Sequence, residues 1–144
     1  MPVKPTMKPV AAGYSGTPVA QKLGLKSGMR FVALNAPPEL DVILAGAPDL
    51  RRLARVGAFD CALAFATTER ALVASFTRLS SKLVDTGVIW LAWPKKTSGV
   101  ATELTEGVVR RTGLAAGLVD VKVCAIDATW SALKFVRRLR DRRS

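Results

Sequence analysis

The chain has 144 residues, 49% of them apolar, and carries 22 Lys and Arg against 11 Asp and Glu for a formal net charge of +11. That length fits one domain of ordinary size, and no apolar run reaches the ~18 residues of a membrane-spanning helix. With no histidine and only two cysteines, the usual zinc ligand sets and every Ser-His or Cys-His pairing are excluded.

The charge is concentrated at the ends. Residues 1–30 hold five basic residues and no acid, and residues 121–144 hold seven against two, while the 90 residues between them net only +1. Basic ends of this kind can engage phosphate backbones through counterion release. Residues 1–12 read as a flexible, proline-interrupted basic arm, 13–139 as a single α/β domain and 140–144 as a basic tail. The N-terminus lacks the continuous apolar segment of a secretory signal, so the expected location is the cytoplasm.

The first predicted element is a short helix in "SGTPVAQKLGLKSG", with Thr17 as N-cap, Pro18 at the first helical position and Gly24 as the stop. "MRFVALNAPP" follows as a strand buried on both faces, ended by Pro37 and Pro38, which open a short helix through "ELDVILAGA". "LRRLARVG" permits a helical turn or a short strand, and the strand is the preferred reading. "FDCALAFAT" is a second buried strand, and Thr67 and Thr68 can cap the helix predicted over "TERALVASFTRLSSKLVD". That helix places apolar residues at 72, 73, 76, 79 and 83. Gly87 resets the chain before the strand "VIWLAWP". A further helix, "TEGVVRRTGLAAG", is capped by Thr105 and stopped near Gly113 or Gly117. "LVDVKVCAID" and "WSALKFVRRL" make a closing hairpin, and the tail "RLRDRRS" is expected to fray.

Strands alternating with helices predict an α/β, Rossmann-like three-layer sandwich, its mainly parallel sheet closed by a C-terminal antiparallel hairpin. This arrangement resembles a trimmed form of the S-adenosylmethionine-dependent methyltransferases. Such enzymes carry a glycine-rich turn after the first strand and an acid ending the second. Here the first turn is "LNAPPEL" and the second strand ends without an acid, so the cofactor pocket looks lost and no cofactor is expected.

In open α/β sheets, ligands collect outside the C-terminal ends of the strands. Those ends deliver Asn35, then Thr67 and Thr68, then Lys95, Lys96, Thr97 and Ser98, and finally Asp127, Thr129 and Trp130. Two adjacent lysines, a glycine at 99 and an ensuing helix N-terminus would make an anion site, with Asn35 and Trp130 across the cleft. The threonines could equally serve as helix caps alone. Trp90 is expected in the core and Trp93 under a pocket. Cys61 and Cys124, both in apolar runs, should be reduced and buried.

Three runs, "GYSGTPVAQKLGLKSGMRFVALNAP", "WPKKTSGVATELTEGVVR" and "GLVDVKVCAIDATWSALKFVRR", cover most of residues 13–138. In combination they resemble an uncharacterised bacterial family, domain of unknown function 3052. The resemblance implies a Rossmann-like fold and assigns no catalytic residue. The expected function is a non-enzymatic cytoplasmic domain that binds a small anionic ligand or a regulatory partner. The alternative is a nucleic-acid-associated protein using its basic termini, and a methyltransferase-like enzyme comes third. No metal or membrane partner is expected, and nothing in the sequence fixes an oligomeric state.

Overall fold

A computed structural model describes residues 18–142. It contains six strands: β1 (Arg30–Leu34), β2 (Arg51–Arg52), β3 (Phe59–Phe65), β4 (Leu83–Pro94), β5 (Leu118–Ala125) and β6 (Trp130–Arg137). Four helices join them: α1 (Val19–Lys22), α2 (Leu40–Ile43), α3 (Glu69–Ser80) and α4 (Glu106–Ala115). The sheet order is β2-β1-β3-β4-β6-β5. β1 to β4 run parallel, and β6 lies antiparallel between β4 and β5. β6 alone therefore runs against the other five.

Burial explains the sheet's centre. In β3, six of the seven residues of "FDCALAF" are buried, so alternate side chains feed two separate cores. On one side Ala62 and Ala64 join Leu72, Phe76 and Leu79 of α3 and Val109 of α4. Phe76 meets Phe135 of β6 edge to face, with ring centroids 5.0 Å apart. Both helices start as their letters require: the hydroxyls of Thr68 and Thr105 accept from the N–H groups of Ala71 and Val108. On the other side Cys61, Leu63 and Phe65 pack with Trp90, Ala132 and the short α1 and α2. The Trp90 indole N–H donates to the Leu23 carbonyl at 3.1 Å, tying α1 to the sheet.

Several sequence expectations need correction. The third helix ends at Ser80, and β4 begins at Leu83, five residues before the predicted strand. Gly87 lies inside β4, where a Cβ would meet Leu83 Cδ1 at 2.7 Å and the Asp60 carbonyl at 3.0 Å. It marks a close approach to β3, where the pairing shifts register. Val73 faces solvent at 53% exposure, so the buried stripe is 72, 76 and 79. The second strand is only two residues long. Thr17 lies outside the described residues, as does the 1–12 arm; Pro18 precedes α1 without a side-chain cap. Gly24, at φ +75°, follows α1 as expected. The tail forms an exposed 3₁₀ turn at Leu139–Asp141, and the Arg138 guanidinium just before it donates to the Leu114 carbonyl of α4; residues 143–144 lie outside the described residues.

Candidate functional site

The chain leaves β1 toward β2 on one side and returns to β3 on the other, so the strand order reverses between β1 and β3. A cleft of about 260 Å³ sits there, lined by Asn35, Phe65, Ala66, Thr67, Ala71 and Trp130. Asn35 directly follows β1 at φ +54°, the left-handed region that asparagine tolerates better than most residues. Trp130 is placed by an Asx turn, in which Asp127 Oδ1 accepts from the backbone N–H groups of Thr129 and Trp130, both at 2.8 Å. Its ring stands edge to face with Phe65, centroids 5.0 Å apart. The Trp130 indole N–H is buried and has no hydrogen-bond partner among the described residues. An unpaired buried donor costs roughly 1–3 kcal/mol, so such groups are rare unless something uses them.

No titratable side chain lines this cleft. The carboxylates close by are committed: Asp127 holds the hairpin turn, and Glu103 Oε1 accepts the Glu69 N–H at the start of α3 at 2.9 Å. The Thr67 carbonyl accepts from the Thr102 hydroxyl and the Glu103 N–H, stitching the segment after β4 to the end of β3. The first turn of α3 is thus already served by the chain's own carboxylate and by Thr68.

Of the six residues expected at one site, the structure brings Asn35 and Trp130 together in this cleft. Lys95, Lys96, Thr97 and Ser98 are not among its lining residues. Lys95 is half-buried, with its N–H on the Thr129 carbonyl at 2.7 Å, while Lys96 and Thr97 are exposed. Ser98 is a turn-former: its hydroxyl donates to the Lys95 carbonyl at 2.7 Å and accepts from the Val100 N–H at 3.1 Å. α4 starts at Glu106 after its Thr105 cap, as predicted, but that start lies seven residues beyond Gly99, and Lys96–Ser98 form a 3₁₀ turn. The free helical N–H groups are therefore absent from beside the lysines. Trp93, three residues from Trp90 and so on the opposite face of β4, packs in the α3 and α4 core rather than under a pocket.

Sequence reasoning missed what surrounds Lys95. Cys124 is buried, which pushes its thiol pKa up, while the nearby ammonium groups of Lys22, Lys122 and Lys95 oppose that rise. Ammonium groups from α1, from β5 and from the residue just after β4 thus act on one thiol, although only Lys95 sits at a parallel-strand exit. A second, more apolar groove of about 450 Å³ lies between α1, α2 and the hairpin turn, lined in part by Val19, Val42, Ile43 and Ile126. Its residues come from segments remote in sequence and share no local pattern.

Burial pushes the Cys61 thiol to about 12, so at pH 8 it is protonated and the reactive thiolate is scarce. Cys61 should therefore react with iodoacetamide at pH 8 at least 100-fold more slowly than in denaturant. Mass spectrometry of timed labelling checks this, and rapid native labelling would contradict the burial described.

No protein-family model matches the chain, and no curated protein sequence matches it. Among solved structures, it resembles magnesium protoporphyrin IX methyltransferase from Synechocystis PCC 6803 with bound SAH. The two share 13% identity over 83% of this chain and 80% of that one, with a TM-score of 0.54. A methyltransferase of calicheamicin biosynthesis matches at TM-score 0.60 and 10% identity, covering 84% of this chain and 52% of its own. A TehB-like SAM-dependent methyltransferase from Corynebacterium glutamicum matches at TM-score 0.53 and 12% identity, over 88% and 91% of the two chains. The chain has the Rossmann-like methyltransferase fold. At these identities the likeness concerns fold alone.

That fold raises the question of S-adenosylmethionine, and the residues present do not fit it. The turn after β1 is Asn35-Ala36-Pro37-Pro38, which has no glycine to admit a ligand against the backbone and lacks two N–H donors. β2 ends in Arg51 and Arg52, followed by Leu53, with no acid to take a ribose diol. Among the described residues, no group of three or more His, Cys, Asp or Glu could hold a metal, and no helix is long and apolar enough to cross a membrane.

Proposed function

We propose that the chain is a non-enzymatic α/β domain that binds a small anionic ligand in the cleft between the ends of β1 and β3. The observation that carries this reading is the buried, unpartnered indole N–H of Trp130 at that cleft. Indole nitrogen donates only, so its partner must present an acceptor such as a carboxylate, phosphate or carbonyl oxygen. The Asn35 side chain and the Thr67 hydroxyl offer further polar contacts from the same lining. Lys95, one residue beyond the Pro94–Trp130 rung of the ladder, adds positive potential on the hairpin side. A cleft without acid or base suits binding better than proton transfer. A methyltransferase reading has the fold in its favour and lacks the turn and the acid. The resemblance to domain of unknown function 3052, with no assigned catalytic residue, is compatible with the binding reading.

The test is thermal stabilisation by phosphate, sulfate and small carboxylates in the parent, in Trp130→Phe and in Lys95→Ala with Lys96→Ala. Without ligand, Trp130→Phe should cost little for the lost N–H, since no hydrogen bond breaks. The double lysine variant should lie within ~0.5 kcal/mol of the parent or slightly above it. Anions should raise the melting temperature of the parent and do so less in both variants. Equal shifts in all three proteins would reduce the effect to generic salt stabilisation and remove the binding reading.

A further inference from the structure

The β5–β6 side of the sheet gathers positive charge of which the cleft draws only on Lys95. We propose that this side is a docking surface for the phosphate backbone of a nucleic-acid strand, held by Lys22, Lys95, Lys122 and Lys134.

Register spaces two of these cations along β4 and β6. Lys134 lies opposite Trp90, and Trp130 lies opposite Pro94, the residue before Lys95. Four residues of strand separate those rungs, a distance of about 13 Å. Lys122 falls in the irregular stretch between Asp120 and Val123, where β5 slips against β6, and is exposed. Lys22 reaches from α1 to the Ala125 carbonyl at the end of β5, with its Nζ 3.5 Å away. Lys134 rests its Nζ 6.0 Å from the Trp90 ring centroid, so its stem is held and its charge is fixed at the sheet surface. Lys22, Lys95 and Lys122 also all oppose the upward shift of the buried Cys124 thiol, as positive groups on this side of the sheet would.

The neighbouring carboxylates are occupied elsewhere. Asp120 is bound by Arg110 at 2.9 Å, Asp60 by Arg30 at 3.0 Å, and Asp127 holds two backbone N–H groups. Asp60 and Asp120 are each paired with an arginine, so of these acids only Asp127, which holds neutral N–H groups, offsets the lysines. Each nucleotide of a strand carries one phosphate, so four lysines can neutralise up to four of them. The large apolar groups exposed on β5 are Val121 and Val123, which offer no ring for a base to stack on. Recognition should then be of the backbone and independent of sequence.

The experiment is fluorescence anisotropy of a labelled 20-nucleotide single strand with the full chain and with Lys95→Gln, Lys122→Gln, Lys134→Gln combined. With four contacts the parent's Kd should rise about 50-fold between 50 and 200 mM salt. The combined variant should bind at least tenfold more weakly at 50 mM salt and lose most of the salt dependence. If that variant does not fold, Lys122→Glu alone, at an exposed position, should still weaken binding several-fold. Unchanged binding by the variant would assign the strand to the basic ends and overturn the proposal. So would binding to anionic phospholipid vesicles with none to the oligonucleotide, or no salt-dependent binding at all.

Discussion

Trp90→Ala should destabilise the protein by about 3–5 kcal/mol, the usual cost of removing a buried large aromatic side chain. Trp90 is fully buried and packs at the centre of the layer formed by Leu23, Cys61, Phe65 and Ala132. Its indole N–H is also the donor to the Leu23 carbonyl, joining residues 67 apart in sequence. The two helices on that face have only four residues each, so the layer depends on this contact more than the opposite one depends on any single residue. Trp90→Phe, which keeps most of the ring and loses the donor, should cost clearly less, on the order of 1–2 kcal/mol. Urea denaturation of the three proteins measures both values. A cost below about 1.5 kcal/mol for the alanine variant would mean that α1 is held to the sheet by something else.

Gly113→Ala is expected to destabilise by about 1–3 kcal/mol, against the roughly 1 kcal/mol gain that the same change brings in an exposed helix. A Cβ at Gly113 would fall 2.1 Å from Phe135 Cε1 and 2.5 Å from Cζ. The glycine lets α4 lie against β6, and Phe135 fills the space over it while stacking edge to face on Phe76. Phe135 is fully buried and flanked by the α3 core, so it has little freedom to withdraw. Pairing the change with Phe135→Leu should recover part of the loss, giving a favourable coupling in a double-mutant cycle. Simple additivity, or a gain in stability for Gly113→Ala alone, would contradict this packing.

Gly113 also shows where sequence reasoning stops. It reads as one of two possible helix stops, yet α4 runs past it to Ala115 and ends before Gly117, at φ +92°, because Gly113 is there for a neighbour 22 positions away. Gly87 misleads in the same manner, marking contact with Asp60 and Leu83 rather than a break between elements. Local signals carried further. The apolar runs of β1, β3 and β4 read directly as buried parallel strands, and the threonines before α3 and α4 act as the caps their positions suggest. The hairpin was legible as well, because its connection is too short for any other geometry. The placement of β6 between β4 and β5 was not, since strand order depends on which edges meet in space.

The candidate site divides along the same line. Asn35 and Trp130 were identifiable as strand-end residues, and the fold brings them to one cleft. Phe65 and Ala71 complete that cleft but look like ordinary core and helix residues in the sequence. Lys95 and Lys96 stood out through adjacency, whereas the cations that share a region with Lys95 are Lys22 and Lys122, contributed by α1 and β5. Adjacent lysines in an extended or 3₁₀ segment diverge, and the companions of Lys95 come from a helix and a strand distant in sequence.

The most direct test of the central claim is isothermal titration of the intact protein with S-adenosylmethionine up to millimolar concentration. A methyltransferase-like sheet with a proline turn after β1 and no acid after β2 should give only heats of dilution and no rise in melting temperature. Saturable one-site binding with a Kd below about 100 μM, accompanied by the stabilisation that mass action requires, would show that the cofactor site survives and would contradict the account.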